Sequence, residues 1–304
     1  MGTVIVAGSA NVDTSVLVRE HPRPGETVLG SSLGYGAGGK GLNQAIAASR
    51  AGATTRFAGA VGSDAAAEII REALKSSATL ASLSVSTEFT GSAFVMVSPS
   101  GENAIVVMPG ANGDSEALSV AARTVLDSAG PTDVVLAQLE IPVDVVTDAV
   151  RSARGSGAIT VLNAAPSRLL PRELLEHLSI LVVNEHECLQ IAALPDADVT
   201  TAALALAEHV DTVVATLGEA GALVAHGRSV SRHSAYVVSA VDTTAAGDTF
   251  CGAMCAELAS GASLADAIDF GMAAAALAVQ RHGAVSSIPG REEVLELMSA
   301  RRTA

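Results

Sequence analysis

The feature that most constrains this chain is a repeated order of segments. A short apolar β run stops at a polar or turn residue, a helix-forming stretch follows, and another such run begins. "TVIVAG" (3–8), "TTRFAGAVG" (54–62), "DVVLAQLE", "AITVLNAAP", "SILVVNEHE" and "DTVVATLG" are runs of this kind. Stretches such as "LNQAIAASRAGA" (42–53) and "PVDVVTDAVRSARG" read as the intervening helices. Short, β-rich, continuously apolar runs suit strands buried on both faces. Their alternation with helices calls for βαβ crossovers, so the expected fold is α/β: a doubly wound, mostly parallel sheet flanked by helices. Ligands of such sheets gather beyond the carboxyl ends of the strands. Those ends carry Asn11, Asp13, Glu140, Asn163, Asn184, Glu187 and Thr216.

Composition removes several function classes. The net charge is −14 with no run of Lys or Arg, which argues against a nucleic-acid partner. The longest clearly apolar run, "MAAAALAV" (272–279), is too short to span a bilayer. The opening "MGTVIVAGSA" lacks the basic start and cleavage site of a signal peptide, and Val6 breaks a myristoylation signal. Three cysteines in 304 residues suit a reducing compartment, so a soluble cytoplasmic protein is expected.

Two segments depart from the alternation. "TSVLVREHPRPGETVLGSSLGYGAG" holds two β runs around a Pro/Gly turn, and "GSAFVMVSPSGENAIVVMPG" reads as a hairpin turning at "SPSGEN". They suit a small separate sheet, a lid formed by insertions at about 14–36 and 91–109 in one domain of 1–304. Edge strands of the main sheet are the alternative.

Most familiar motifs fail on context. "GYGAGG" (34–39) fits a dinucleotide fingerprint but follows no first strand and has no acidic residue about twenty positions on. "GYGAGGKG" has Gly41 where a P-loop needs Ser or Thr for magnesium. "HECLQ" lacks the second histidine of a zinc protease, and Cys251 and Cys255 have no second ligand pair. There is no G-x-S-x-G elbow. What remains is "DTTAAGD", two aspartates around almost bare backbone. If Ala245, Ala246 and Gly247 form the first turn of the next helix, their amides face outward at the positive end of its dipole. Small side chains let phosphate oxygens reach those amides. Asp248 would then stand where it can take a proton from an incoming hydroxyl. An ordinary capped helix start fits the same residues.

In order along the chain, "GAGGKGLNQA", "GANGDSEALS", "QLEIP", "LNAAPSRLLP", "VVNEHE", "TLGEAG" and "DTTAAGDTF" resemble the ribokinase branch of the PfkB carbohydrate kinase family. The resemblance covers essentially the whole length. It implies a doubly wound domain with a β lid, a homodimer joined through that lid, and ATP-dependent phosphorylation of a sugar hydroxymethyl group. Asn11, Asp13, the backbone at Gly39, Lys40, Asn43 and Glu140 match ribose-contacting positions. Asp248 matches the catalytic base, and Gly247 with Ala245 and Ala246 the anion hole. Asn184 and Glu187 match the motif that organises magnesium and phosphates. Thr216, Leu217, Gly218, Glu219, Ala220 and Gly221 match the nucleotide loop, and Met272 stands near the expected adenine edge. Asp242, Thr244, Ala278, Arg281, Gly283 and Ser287 match a monovalent-cation site suited to potassium; a cap for the following helix is the other reading of Asp242. A fructokinase, a deoxyribose kinase or a silent sugar sensor are the alternatives to a ribose kinase. An intact Asp248, Asn184 and Glu187 argue against the sensor.

Overall fold

The computed structural model describes residues 1–99 and 103–303. Strand β1 (Thr3–Ala7) leads into β2 (Asn11–Val18) and β3 (Gly30–Gly38). Helix α1 (Lys40–Arg50), β4 (Thr54–Val61), α2 (Ala65–Ser76) and β5 (Leu80–Val85) follow, then β6 (Ser92–Val97) and β7 (Asn103–Met108). Next come α3 (Ser115–Leu126), β8 (Val134–Gln138), α4 (Val143–Gly155), β9 (Ile159–Asn163) and α5 (Arg172–Glu176). They continue into β10 (Ile180–Asn184), α6 (Glu185–Ile191), α7 (Val199–Leu206) and β11 (Thr212–Thr216). The hairpin of β12 (Ala222–His226) and β13 (Ser229–His233) precedes α8 (Ala246–Ser260), α9 (Leu264–Ala278) and α10 (Arg291–Thr303).

Nine strands form the main sheet in the order β13-β12-β11-β10-β9-β8-β1-β4-β5. All neighbours are parallel except β11–β12 and β12–β13, so the expected doubly wound sheet is present with an antiparallel edge. The pleat divides each strand between two cores. Val4 and Val6 pack with α1, α2, α8 and α9, while Ile5 and Ala7 pack with α3 and α4. Helices α4 to α7 cover the same second face further along. Strand order reverses at β1, with β4 on one side and β8 on the other, which places a crevice beyond its carboxyl end.

A four-stranded sheet, β3-β2-β6-β7, stands apart from the main one. The separate-sheet expectation therefore holds over the edge-strand alternative. Its strands reach back to Asn11 and on to Gly38, beyond the expected 14–36. Of the expected "SPSGEN" turn, residues 100–102 lie outside the described residues.

Helices α1 and α8 meet face to face at Gly252. A Cβ there would come within 2.3 Å of the Gln44 carbonyl oxygen, 2.6 Å of the Ala47 Cβ and 2.9 Å of the Ala48 nitrogen. Gly→Ala inside a helix ordinarily gains about 1 kcal/mol from propensity. Here backbone must move, and overpacking of about 1–3 kcal/mol wins. Gly252→Ala is expected to lower stability in urea denaturation, and an unchanged or higher midpoint would contradict this packing.

Candidate active site

At the β1 crevice, β2 presents Asn11 and Asp13 two residues apart, on one face of the small sheet. Gly38 and Gly36 oppose them on β3. Any side chain at Gly38 would collide with Asp13, its Cβ lying 2.0 Å from Oδ2. Asn112 fixes the start of β2. Its amide donates to Asn11 Oδ1 at 2.7 Å and its own oxygen accepts from the Ala10 amide at 2.9 Å. Gly39 takes φ 90, a conformation open to glycine, and turns the chain into α1. Glu140, just past β8, accepts from the Lys40 amide at 2.9 Å and from Ser9 Oγ at 2.6 Å.

Four buried side-chain atoms lack a hydrogen-bond partner among the described residues: Asp13 Oδ1, Asn43 Oδ1, Gln44 Oε1 and Thr249 Oγ1. An unpaired buried polar atom costs about 1–3 kcal/mol, so folds rarely leave them idle. Two belong to Asp13 and Asn43, positions expected to hold a polyol, whose hydroxyls are the donors they lack. Asp13 is pushed up to about 6, first by burial and then by the charges of Glu140 and Asp248.

Asp248 is only 6 % exposed. Its Oδ2 accepts from Asn43 Nδ2 at 3.0 Å and its Oδ1 from Gln44 Nε2 at 2.9 Å. Burial raises its pKa, and the Lys40 charge and the two amides act against the rise. Ala245 is the N-cap of α8 rather than part of its first turn, held in the left-handed region at φ 58 with no side-chain cap. The Ala246 amide donates to the Thr243 carbonyl at 3.2 Å. The amides of Gly247 and Asp248 have no acceptor among the described residues, and the space where a Gly247 Cβ would stand is open for 4 Å. Helix starts with amides in this state are the arrangement that receives anions in other folds.

The same cleft is walled by Lys40, Asn163, Asn184, Glu187 and Thr216. Burial pulls the Lys40 pKa down, but Asp248, Glu140 and Glu187 outweigh it and keep the ammonium charged. Lys40 lines the same cleft as Gly247 and Asp248, whereas the resemblance assigns it to the sugar. Asn184 and Glu187 form a reciprocal capping box at the start of α6, with both bonds 2.8 Å. Beyond Thr216, Leu217 to Gly221 close a tight turn in which the Leu217 amide meets the Gly221 carbonyl at 2.8 Å. Gly218 and Gly221 take φ 56 and φ 94 there. Met272 is buried in the core with α8 and α9 and does not line this cleft.

The loops of the expected cation site do come together. Asp242 accepts from the Thr244 amide through Oδ1 and from the Gly283 amide through Oδ2, both at 2.9 Å. The Val241 and Asp242 amides meet the Val279 carbonyl at 2.7 and 3.1 Å. Ser287 is fully buried nearby in sequence, and the Arg281 amide bonds the Ala278 carbonyl. Asp242 does not cap α8. Burial raises its pKa, but the Thr244 and Gly283 hydrogen bonds prevail and hold it below the usual carboxylate range. Among the described residues no group of three or more His, Cys, Asp or Glu could hold a metal.

Three site residues escape the sequence reading: Gln44, Asn112 and Ser9. Gln44 carried a usable signal, an amide next to Asn43 in a helix whose other positions are mostly apolar and buried.

The chain matches the pfkB family of carbohydrate kinases over residues 1–291. It is 40 % identical to the ribokinase of Staphylococcus aureus (strain COL), covering 96 % of this chain and 98 % of that protein. The crystal structure of a Thermotoga maritima ribokinase superposes with a TM-score of 0.90 at 31 % identity, covering 98 % of this chain and 99 % of the other. Arabidopsis thaliana ribokinase complexed with ribose and ATP superposes with a TM-score of 0.84 at 31 % identity, covering 98 % of each chain.

Asp13 supplies a test that separates binding from stability. Its folded pKa of about 6 lies above the unfolded 3.8, so the folded state binds more protons between those values. Stability from this group is present below pH 3.8 and declines as pH rises through 6. Asp13→Asn is expected to raise stability by about 1–2 kcal/mol at pH 8, with the gain vanishing near pH 4. Thermal denaturation across pH measures this, and a loss of stability at pH 8 would contradict the strained carboxylate.

Proposed function

This chain belongs to the pfkB family of carbohydrate kinases, and from that premise we propose that it transfers the γ-phosphate of ATP to O5 of D-ribose. One observation carries the reading. A buried, doubly amide-held Asp248 stands in the same helix turn as two backbone amides that lack acceptors among the described residues. Asp248 is the general base for the ribose hydroxyl, and the Gly247 and Asp248 amides receive the charge on the transferring phosphoryl group. Asn11, Asp13, the Gly39 backbone, Asn43 and Glu140 hold the sugar through paired donors and acceptors. The neighbour solved with ribose and ATP supports both ligands.

Thr216 and the turn from Leu217 to Gly221, including Glu219 and Ala220, form the nucleotide side. Asn184 and Glu187 organise magnesium: Glu187 spends one oxygen on the Asn184 amide and keeps the other unpaired among the described residues. Magnesium supplies neutralisation of the phosphate charge during transfer. Asp242, with Thr244, Ala278, Arg281, Gly283 and Ser287, suits a monovalent cation, because carbonyl-rich oxygen cages match large, weakly hydrated ions such as potassium. Tyr35, Phe94, Ile105, Val106 and Val107 expose apolar surface on the small sheet, and we assign that sheet to a homodimer contact in a soluble, cytoplasmic enzyme.

ADP release measured across ribose, 2-deoxyribose, fructose, tagatose and nucleosides tests the substrate, with ribose expected to give the highest kcat/KM. Asp248→Asn should lower kcat by about 10²–10⁴-fold with little change in ribose binding. A higher kcat/KM for another acceptor would reassign the substrate, and wild-type turnover in the variant would remove the base.

Potassium should raise activity far more than sodium at equal ionic strength, and Asp242→Ala should abolish the difference. Equal rates in the two salts would leave Asp242 as a clamp between its two loops.

A further inference from the structure

Among the described residues, Gln44 is the one polar side chain hydrogen-bonded to Asp248 that the resemblance does not assign. It is fully buried on α1. Its single amide nitrogen serves two acceptors, Asp248 Oδ1 at 2.9 Å and Asn163 Oδ1 at 3.1 Å. Its oxygen, Oε1, is buried without a partner among the described residues. An apolar side chain of similar size would avoid that orphan and its cost. The amide is therefore hard to explain by packing and easy to explain by what its nitrogen donates to.

We propose that Gln44 is a positioning residue for phosphoryl transfer, holding the Asp248 carboxylate in its reactive orientation and tying it to Asn163 in the wall of the anion cleft. The inference rests on Asp248 being the base. Asn43 holds the other oxygen of Asp248 but also belongs to the sugar-binding set. Among the described residues the Gln44 side chain bonds only Asp248 and Asn163, so its grip on the carboxylate does not depend on substrate. Two donors on two oxygens fix the plane of the carboxylate and leave its remaining lone pairs for the incoming hydroxyl. The contact exists because Gly252 lets α8 lie against the backbone of α1 at Gln44 itself.

The donor also sets the proton affinity of the base. The charged and titratable groups facing Asp248 are Lys40 from α1, Glu140 after β8, Asp13 from β2 and Cys251 on its own helix. Glu140 disfavours the ionised form and Lys40 favours it. Hydrogen bonds from Asn43 and Gln44 favour it further, so removing Gln44 shifts the balance toward the protonated, inactive acid.

The test is a pH–rate profile of Gln44→Met, close to Gln in size but without a donor. The expected result is a fall in kcat of about 10–100-fold, a KM for ribose within about threefold, and an acid limb moved up by about one pH unit. A purely structural role would lower the melting temperature and leave the acid limb in place, which would overturn the proposal. If Gln44→Met does not fold, Gln44→Glu decides. A second carboxylate beside Asp248 should push the acid limb higher still, and a limb coincident with wild type would overturn the proposal. Asp248→Asn keeps the two readings apart. Wild-type turnover there sinks the assignment of the base, whereas an inactive Asp248→Asn with unmoved limbs in the Gln44 variants sinks the role of Gln44 alone.

Discussion

A carboxylate buried at the start of a helix must be compensated, because desolvating an unpaired charge costs more than a fold can spare. Asp248 meets that demand through α1: consecutive amides at Asn43 and Gln44 donate to its two oxygens, and the Lys40 ammonium lies close enough to favour its charge. This contact draws α8 onto α1, and the bare Gly252 permits the approach. The rest of the site follows from where these two helices start. Lys40 opens α1 at the end of the small sheet, and its amide holds Glu140; Ala246 opens α8, and the next two amides face the cleft.

The sheet supplies the address. Because strand order reverses at β1, the segments leaving β1 and β8 diverge and leave a crevice, and the Ser9 Oγ to Glu140 hydrogen bond joins those two segments. The carboxyl ends of β9, β10 and β11 extend the same edge with Asn163, Asn184 and Thr216, all in one cleft wall with Asp248. The positions proposed for the sugar and for the phosphate meet at Asp248. Among the described residues, unpaired atoms on Asp13 and Asn43 lie on the side proposed for the sugar, and unpaired amides on α8 on the side proposed for the phosphate. A ligand of matching chemistry would satisfy both.

Much of this was legible in the sequence because it is local. The strand ends and the separate small sheet show in windows of ten to twenty residues. What escaped depends on distance along the chain. Gln44 meets Asp248 across 204 positions and Asn112 meets Asn11 across 101, separations that no local pattern reports. Ala245 misled in a different way. An alanine next to "AGD" reads as a helical residue, and its left-handed φ of 58 is visible only once the turn is built. Asp242 shows the same limit: its place before a helix suggested a cap, but its partners are Thr244 and Gly283, forty-one residues apart from it in the second case.

The central claim is that one helix turn joins the base to the phosphate site. A crystal structure with ribose and a non-hydrolysable ATP analogue tests it most directly. The account predicts ribose O5 within hydrogen-bond distance of an Asp248 oxygen and the terminal phosphate against the Gly247 and Asp248 amides. A terminal phosphate bound away from that turn, or a ribose whose O5 points away from Asp248, would contradict it.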